Sequence, residues 1–230
     1  MDKHQQGHGQ QIHYLSTIRG VLGMLRDPEH TESVFDIEDG LRDLEATQLA
    51  VDYLDSIPSV RAMAEERYLR EVPDVDQLAS LRPGTLGHCY ALHLRAHGFD
   101  PDYYRKVDVE SDRDYYAMRV RQTHDIWHVV TGFDPSAIGE LALKSVEIAQ
   151  LRRPMAAVIV AGGILRYLVK DPHDLQAMLE AVDRGFRIGS EAQPLLAEKW
   201  EEQWDEPLDS IRTRLNVNAA DYDPEANAPA

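Results

Sequence analysis

His124–Glu140 reads HDIWHVVTGFDPSAIGE. Its two histidines stand four residues apart, so on a helix both side chains share one face. A Gly-Phe-Asp-Pro turn follows. Gly132 suits a helix C-terminus, where a left-handed residue ends the helix without strain. Asp134 before Pro135 suits an N-cap with proline at the first helical position. The stretch therefore reads as helix, tight turn and returning helix, an αα-hairpin. At 1.5 Å per residue, His128 lies about 6 Å below the turn and Glu140 about 7.5 Å down the return. The two arrive at nearly the same height. Lys144 falls one turn deeper, near His124, and Glu147 lies a further turn along the same broad face.

The pattern on either side is also helical. Apolar residues recur at three- and four-residue spacing, and strand-like alternation is scarce. The spacing predicts helices near 12–26, 36–55, 58–71, 83–98, 113–131, 135–151, 155–170, 172–189, 193–203 and 206–215. Pro58, Pro83 and Asp171-Pro172 suit first turns, and Gly98 suits a C-terminus. The expected fold is all-α: a single-domain helical bundle over 12–215 built around the hairpin. Residues 1–11, rich in Gln, His and Gly, read as a flexible N-terminus. Residues 216–230, NVNAADYDPEANAPA, lack a periodic apolar face and read as a disordered tail.

Composition narrows the function. The 230 residues are 43% hydrophobic, enough for a sizeable core. A net charge of −16 argues against nucleic acid binding through bulk electrostatics. The one cysteine, Cys89, fits a reducing compartment and excludes an internal disulfide framework. No apolar run reaches the ~18 residues of a membrane span, and the start resembles neither signal nor transit peptide. The expected location is cytoplasmic.

The hairpin carries the chemistry. His124, His128 and Glu140 can meet one cation, and Asp125, ~100° round the helix from His124, can be a further ligand, a carboxylate behind the ligands or a proton carrier. Two imidazoles with carboxylates suit zinc, and also iron or manganese. The bland alternative is surface histidines with an ordinary Glu140–Lys144 helix pair. Arg119 and Arg121, just upstream, can hold an anionic group. MAAVIVAGGIL (155–165) reads as a buried core helix, or as the wall of a groove for an apolar tail with Gly162 and Gly163 making room. GVLGML (20–25) is a weaker candidate for peripheral membrane contact. His88 and His93 read as packing or local hydrogen-bonding residues, and Met118, Trp127 and Tyr167 as core.

Residues 118–155, MRVRQTHDIWHVVTGFDPSAIGELALKSVEIAQLRRPM, resemble the signature of the ubiquinone (coenzyme Q) biosynthesis protein 4 family. The family pattern is H-D-x-x-H, eleven residues, then Glu; His124, Asp125, His128 and Glu140 match it. LRPGTLGHCYALHL (81–94) resembles the family's Pro-x-Gly-Thr-Leu-Gly stretch. The resemblance covers about residues 12–190. One departure is Gln122, which stands where the family often has Glu.

The resemblance implies an all-helical fold and a divalent metal on His124, Asp125, His128 and Glu140. That metal is usually zinc, with Fe2+, Mn2+ or Mg2+ compatible. It implies removal of the C1 carboxyl from a polyprenylated 4-hydroxybenzoate, by a lyase or an oxidative route. Asp125, Glu140 and Arg121 are then the expected catalytic residues, and Arg119, Lys144, Gly162 and Gly163 the expected substrate contacts. Implied partners are the polyprenylated aromatic quinone precursor, other ubiquinone-biosynthesis enzymes, the cytoplasmic face of the inner membrane as a peripheral contact, and a second copy in a homodimer. A non-catalytic prenyl-lipid-binding scaffold is the competing expectation. A zinc peptidase is a weaker one, because Asp125 is one methylene shorter than the glutamate base of H-E-x-x-H.

Overall fold

A computed structural model of the protein describes residue 38 and residues 40–226. The expected helix at 12–26, the flexible 1–11 and the GVLGML stretch lie outside the described residues. The described residues are helical, with no strand among them and one isolated bridge, Thr85 to Pro207.

Helix starts and stops follow local chemistry. The helices are α1 (Glu45–Asp55), α2 (Pro58–Glu66), α3 (Val75–Ala79), α4 (Leu86–His97), α5 (Asp112–Thr131), α6 (Ala137–Leu151), α7 (Pro154–Val169), α8 (Leu175–Glu191) and α9 (Leu208–Arg214). Pro58 and Pro154 open α2 and α7, where a missing N–H costs nothing. Asp74, Thr85, Ser111 and Ser136 cap α3, α4, α5 and α6 by accepting first-turn amides. Gly98 and Gly132 close α4 and α5 at φ +67° and +71°.

Three expectations about elements need correction. The span 36–55 is not one helix: residues 42–44 break it before α1. The span 193–203 holds two single-turn 3-10 helices, Leu195–Ala197 and Trp200–Glu202, instead of an α-helix. Its apolar residues Leu195, Leu196 and Trp200 are buried on an irregular path that spacing alone cannot tell from a helical face. The cap of α6 is Ser136, not Asp134, whose carboxylate instead accepts from the Ser136 amide at 3.2 Å and hydroxyl at 2.6 Å.

The core gathers Leu86, Leu94, Tyr115, Trp127, Leu143 and Trp200, from α4, α5, α6 and the 3-10 segment. A smaller cluster joins Leu41, Leu141, Met155, Ile159, Tyr167 and Met178. Met118, Trp127 and Tyr167 are core residues, as expected. Helix α8 sits hard against α6, because a Cβ on Gly185 would stand 2.1 Å from the Ala142 carbonyl oxygen. This contact fixes the helix that carries Glu140.

Residues 216–226 do not behave as the expected disordered tail. They run back over the hairpin turn: the Ala220 amide donates to the Thr131 carbonyl at 2.7 Å and the Tyr222 amide to the Gly132 carbonyl at 3.0 Å. Backbone pairing of this kind needs no apolar periodicity, so composition gave no sign of it.

Candidate metal centre

Helix α5 places His124 and His128 one turn apart, and the turn through Gly132 returns Glu140 to them on α6. The side chain of His128 is fully buried, His124 is 26% exposed and Glu140 39%. Nε2 of His128 lies 3.0 Å from one Glu140 oxygen, and Nε2 of His124 lies 3.4 Å from the other. One ligand atom from each of the three residues falls within 4.8 Å of those of the other two.

The ring orientation carries more information than the distances. Nδ1 of His128 stands 2.9 Å from the Phe133 carbonyl. A carbonyl only accepts, so Nδ1 carries the proton and donates. A neutral His128 then presents a lone pair at Nε2. That lone pair faces a carboxylate oxygen, another acceptor. Two acceptors at 3.0 Å require a positive charge between or upon them. Either His128 is imidazolium or a cation occupies the junction. Burial alone would push its pKa down, but the Glu140 charge and hydrogen bond outweigh it and raise it. Burial likewise pushes Glu140 up, yet His128 and His124 together hold it well below the carboxylate range. The three residues could hold a metal ion, and a proton on His128 satisfies the same pair.

Behind His124 stands a second carboxylate. Nδ1 of His124 lies 3.9 Å from Glu147, only 1% exposed, a charge contact and not a hydrogen bond. Glu147 pairs with Lys144, and with Arg153 at 3.2 Å. Arg153 in turn pairs with Glu38, which reaches Arg121 at 2.5 Å. Burial works against the Glu147 and Glu38 carboxylates, but these cations hold both below their ordinary range.

A family described as coenzyme Q (ubiquinone) biosynthesis protein Coq4 matches residues 28–221, most of the chain and all of this site. The chain belongs to the Coq4 family. It is similar to the mitochondrial ubiquinone biosynthesis protein COQ4 of Eremothecium gossypii, 33% identical over 160 residues, covering 66% of this chain and 49% of that protein. The Mycosarcoma maydis counterpart is 24% identical over 245 residues, covering 89% and 64%. A crystal structure of a Nostoc punctiforme PCC 73102 protein, named for ubiquinone biosynthesis, superposes with a TM-score of 0.82 at 38% identity. It covers 90% of this chain and 97% of its own. The chain spans about half to two thirds of the length of these curated relatives.

Within this Coq4 fold the other expected site residues fare differently. Asp125 stays outside the three-residue cluster, because it projects round the helix from His124. It is half-buried, and among the described residues no hydrogen bond or ion pair reaches its carboxylate. Arg119 does not face the centre: it is fully buried against Glu201, at 2.6 and 3.0 Å, and the Glu198 carbonyl, tying α5 to the 3-10 segment. Arg121 is bound to Glu38 and to the Arg105 carbonyl. Lys144 is committed to Glu147. Gly162 is buried, and Gly163 opens no groove, since a Cβ there would lie 2.6 Å from the Leu141 side chain of α6. Its role is close helix packing. Sequence reasoning missed the Phe133 carbonyl, the Glu38 bridge and the position of His93, which stacks on His128. Only Glu147 had a signal in spacing.

A cavity of about 90 Å3 lies between α1, α5 and the start of α7, lined by apolar residues such as Leu54, Val120 and Met155. Arg121, Arg153 and Glu38 stand at its wall, so one ion-pair chain links the cavity to the centre. No helix among the described residues is long and apolar enough to cross a membrane.

Proposed function

We propose that this chain acts in coenzyme Q biosynthesis as a metal-dependent decarboxylase. His124, His128 and Glu140 would hold the cation, and a polyprenylated 4-hydroxybenzoate loses its C1 carboxyl beside them. The observation that carries this reading is the pair of acceptors, His128 Nε2 and Glu140, held face to face at 3.0 Å with the His128 tautomer fixed from behind. Zinc suits two nitrogens and a carboxylate with an open position, and Fe2+, Mn2+ and Mg2+ are the alternatives. When bound, the metal supplies Lewis acidity to a carboxylate or phenolic oxygen.

The residues supply the rest. Asp125 passes the proton to C1 as the bond to the carboxyl breaks and CO2 leaves. Its freedom from ion pairs keeps it available for this. Glu140 and His128 would hold the cation, and the Glu147 carboxylate lies behind the His124 ring. Arg121 acts through Glu38 rather than on the substrate. Exposed Leu165, Leu168 and Val169 on α7, 53 to 72% accessible, support peripheral membrane contact, through which a prenylated substrate arrives.

The second reading is a non-catalytic scaffold that binds the prenyl lipid and assembles with other pathway enzymes. The engagement of Arg119, Arg121 and Lys144 by internal partners favours it, because no cationic clamp for a substrate carboxylate is left among those three.

Release of labelled CO2 from a carboxyl-labelled prenyl 4-hydroxybenzoate tests the proposal, with metal-stripped protein as control. Cation-dependent release is expected, and Asp125→Asn should slow it by at least about 100-fold. Stoichiometric cation without CO2 release would transfer the case to the scaffold.

A further inference from the structure

His93 is fully buried on α4, yet its Nε2 meets no hydrogen-bond partner among the described residues. An unsatisfied buried polar atom costs about 1–3 kcal/mol, and a phenylalanine or leucine would avoid it. What the imidazole does gain is on its other side. Nδ1 lies 2.9 Å from the Tyr222 hydroxyl, which also lies 3.1 Å from Nε2 of His97. The hydroxyl has one proton, so it donates to one ring and accepts from the other. The His93 ring meanwhile stacks on His128, centroids 5.7 Å apart and planes 21° from parallel. His124 meets the His128 ring edge-on, at 4.9 Å and 89°.

Tyr222 is itself anchored to the hairpin. Its amide donates to the carbonyl of Gly132, the residue that turns α5 towards α6. The Phe133 carbonyl, next in the chain, holds Nδ1 of His128. The tail therefore touches both devices that set the His128 ring: the turn that presents the carbonyl and the imidazole that covers the face.

We propose that His93 and Tyr222 are positioning residues for the metal centre: the C-terminal segment, through the Tyr222 hydroxyl, locks the His93 ring against His128 and fixes the direction of Nε2. The inference rests on the reading of His124, His128 and Glu140 as a cation site. It extends that site to a segment some ninety residues further along the chain. Groups that orient metal ligands are typically worth 10–100-fold in affinity.

Titration of the full-length, metal-stripped protein with Co2+ tests this, with the visible ligand-field bands and the dissociation constant as readouts. Tyr222→Phe removes only the hydroxyl, and His93→Phe keeps a ring of similar shape. Both should weaken Co2+ binding by about tenfold or more and shift the bands; Tyr222→Phe also leaves the buried His93 Nδ1 without its partner, so its metal-free melting temperature should fall by a few degrees while the fold is kept. Wild-type band positions and affinity in both variants would overturn the positioning role while leaving the cation site standing. Failure of the wild-type protein to bind Co2+ or Zn2+ would instead remove the cation site, and this inference with it. Should His93→Phe fold poorly, Tyr222→Phe alone decides.

Discussion

Nε2 of His128 and Oε1 of Glu140 stand 3.0 Å apart across a hairpin, twelve residues apart in sequence. Each is an acceptor when His128 is neutral, so the pair demands a cation or a proton. Glu140→Gln replaces the charged acceptor with a neutral amide. The expected outcome is a fall in Zn2+ affinity beyond the 10–100-fold typical of residues behind the ligands, read by calorimetry. In the metal-free protein the same change should lower the His128 pKa, because the Glu140 charge is what raises it against burial. An NMR titration of the ring protons checks the sign. An unchanged His128 titration would contradict the pairing itself.

Glu147 gives a stability prediction. Its carboxylate is 1% exposed and balances both Lys144 and Arg153. Removing one partner of a buried ion cluster leaves uncompensated charge, at a cost of about 3–5 kcal/mol. Glu147→Ala should lose that much in urea unfolding, whereas exposed Glu65→Ala should lose under about 1 kcal/mol. The pH dependence has a definite sign. Glu38 and Glu147 titrate below their ordinary 4.5 in the folded protein, so the unfolded chain binds protons first as pH falls. Their contribution is complete above about 4.5 and is lost as pH drops below it. Glu147→Gln should flatten that acid limb.

The hairpin was legible because its rules are local. Four-residue spacing, a left-handed Gly132 and a 1.5 Å rise place Glu140 beside His128 without any distant contact. Arg119 was misread for the complementary reason. Its partner Glu201 lies 82 residues away, and nothing near Arg119 marks which way it faces. For Gly162 and Gly163 the sequence allows a buried core helix or a groove wall, and the structure has the buried helix, with the Leu141 side chain pressed against Gly163. Residues 216–226 are held by backbone amides and by Tyr222 and Glu225, none of which needs an apolar stripe. A disordered reading of such a segment follows from composition and fails on pairing.

Cys89 reports on that segment. The thiol is 3% exposed, with its sulfur 4.0 Å from Glu225. Burial, reinforced by the charges of Glu225 and Asp223, pushes its pKa up to about 12. Alkylation follows the thiolate, so iodoacetamide at pH 8 should modify the native protein very slowly. A chain ending at Asn218 loses both acids and the cover over α4. Its labelling rate should rise by at least about tenfold with helicity retained, as measured by mass spectrometry and circular dichroism. Equal rates in the two chains would show that the segment does not protect the thiol.

Gly185 tests whether the fold at a distance sets the centre. A Cβ there would lie 2.1 Å from the Ala142 carbonyl oxygen, a backbone atom that cannot swing aside. Gly189 makes the same approach one turn on, 2.8 Å from the Val146 carbonyl. Gly185→Ala must therefore push α8 away from α6. Overpacking of this kind costs about 1–3 kcal/mol, despite alanine being the better helix former. Because Ala142 sits two residues from Glu140, the displacement also moves Glu140, and on the proposed cation site Zn2+ affinity should fall along with stability. Phe186→Ser, on the neighbouring half-exposed residue, should change stability by less than about 0.5 kcal/mol and leave affinity unaltered. Lost stability with wild-type affinity in Gly185→Ala would mean that the hairpin turn alone, without the α6–α8 contact, holds Glu140 in place.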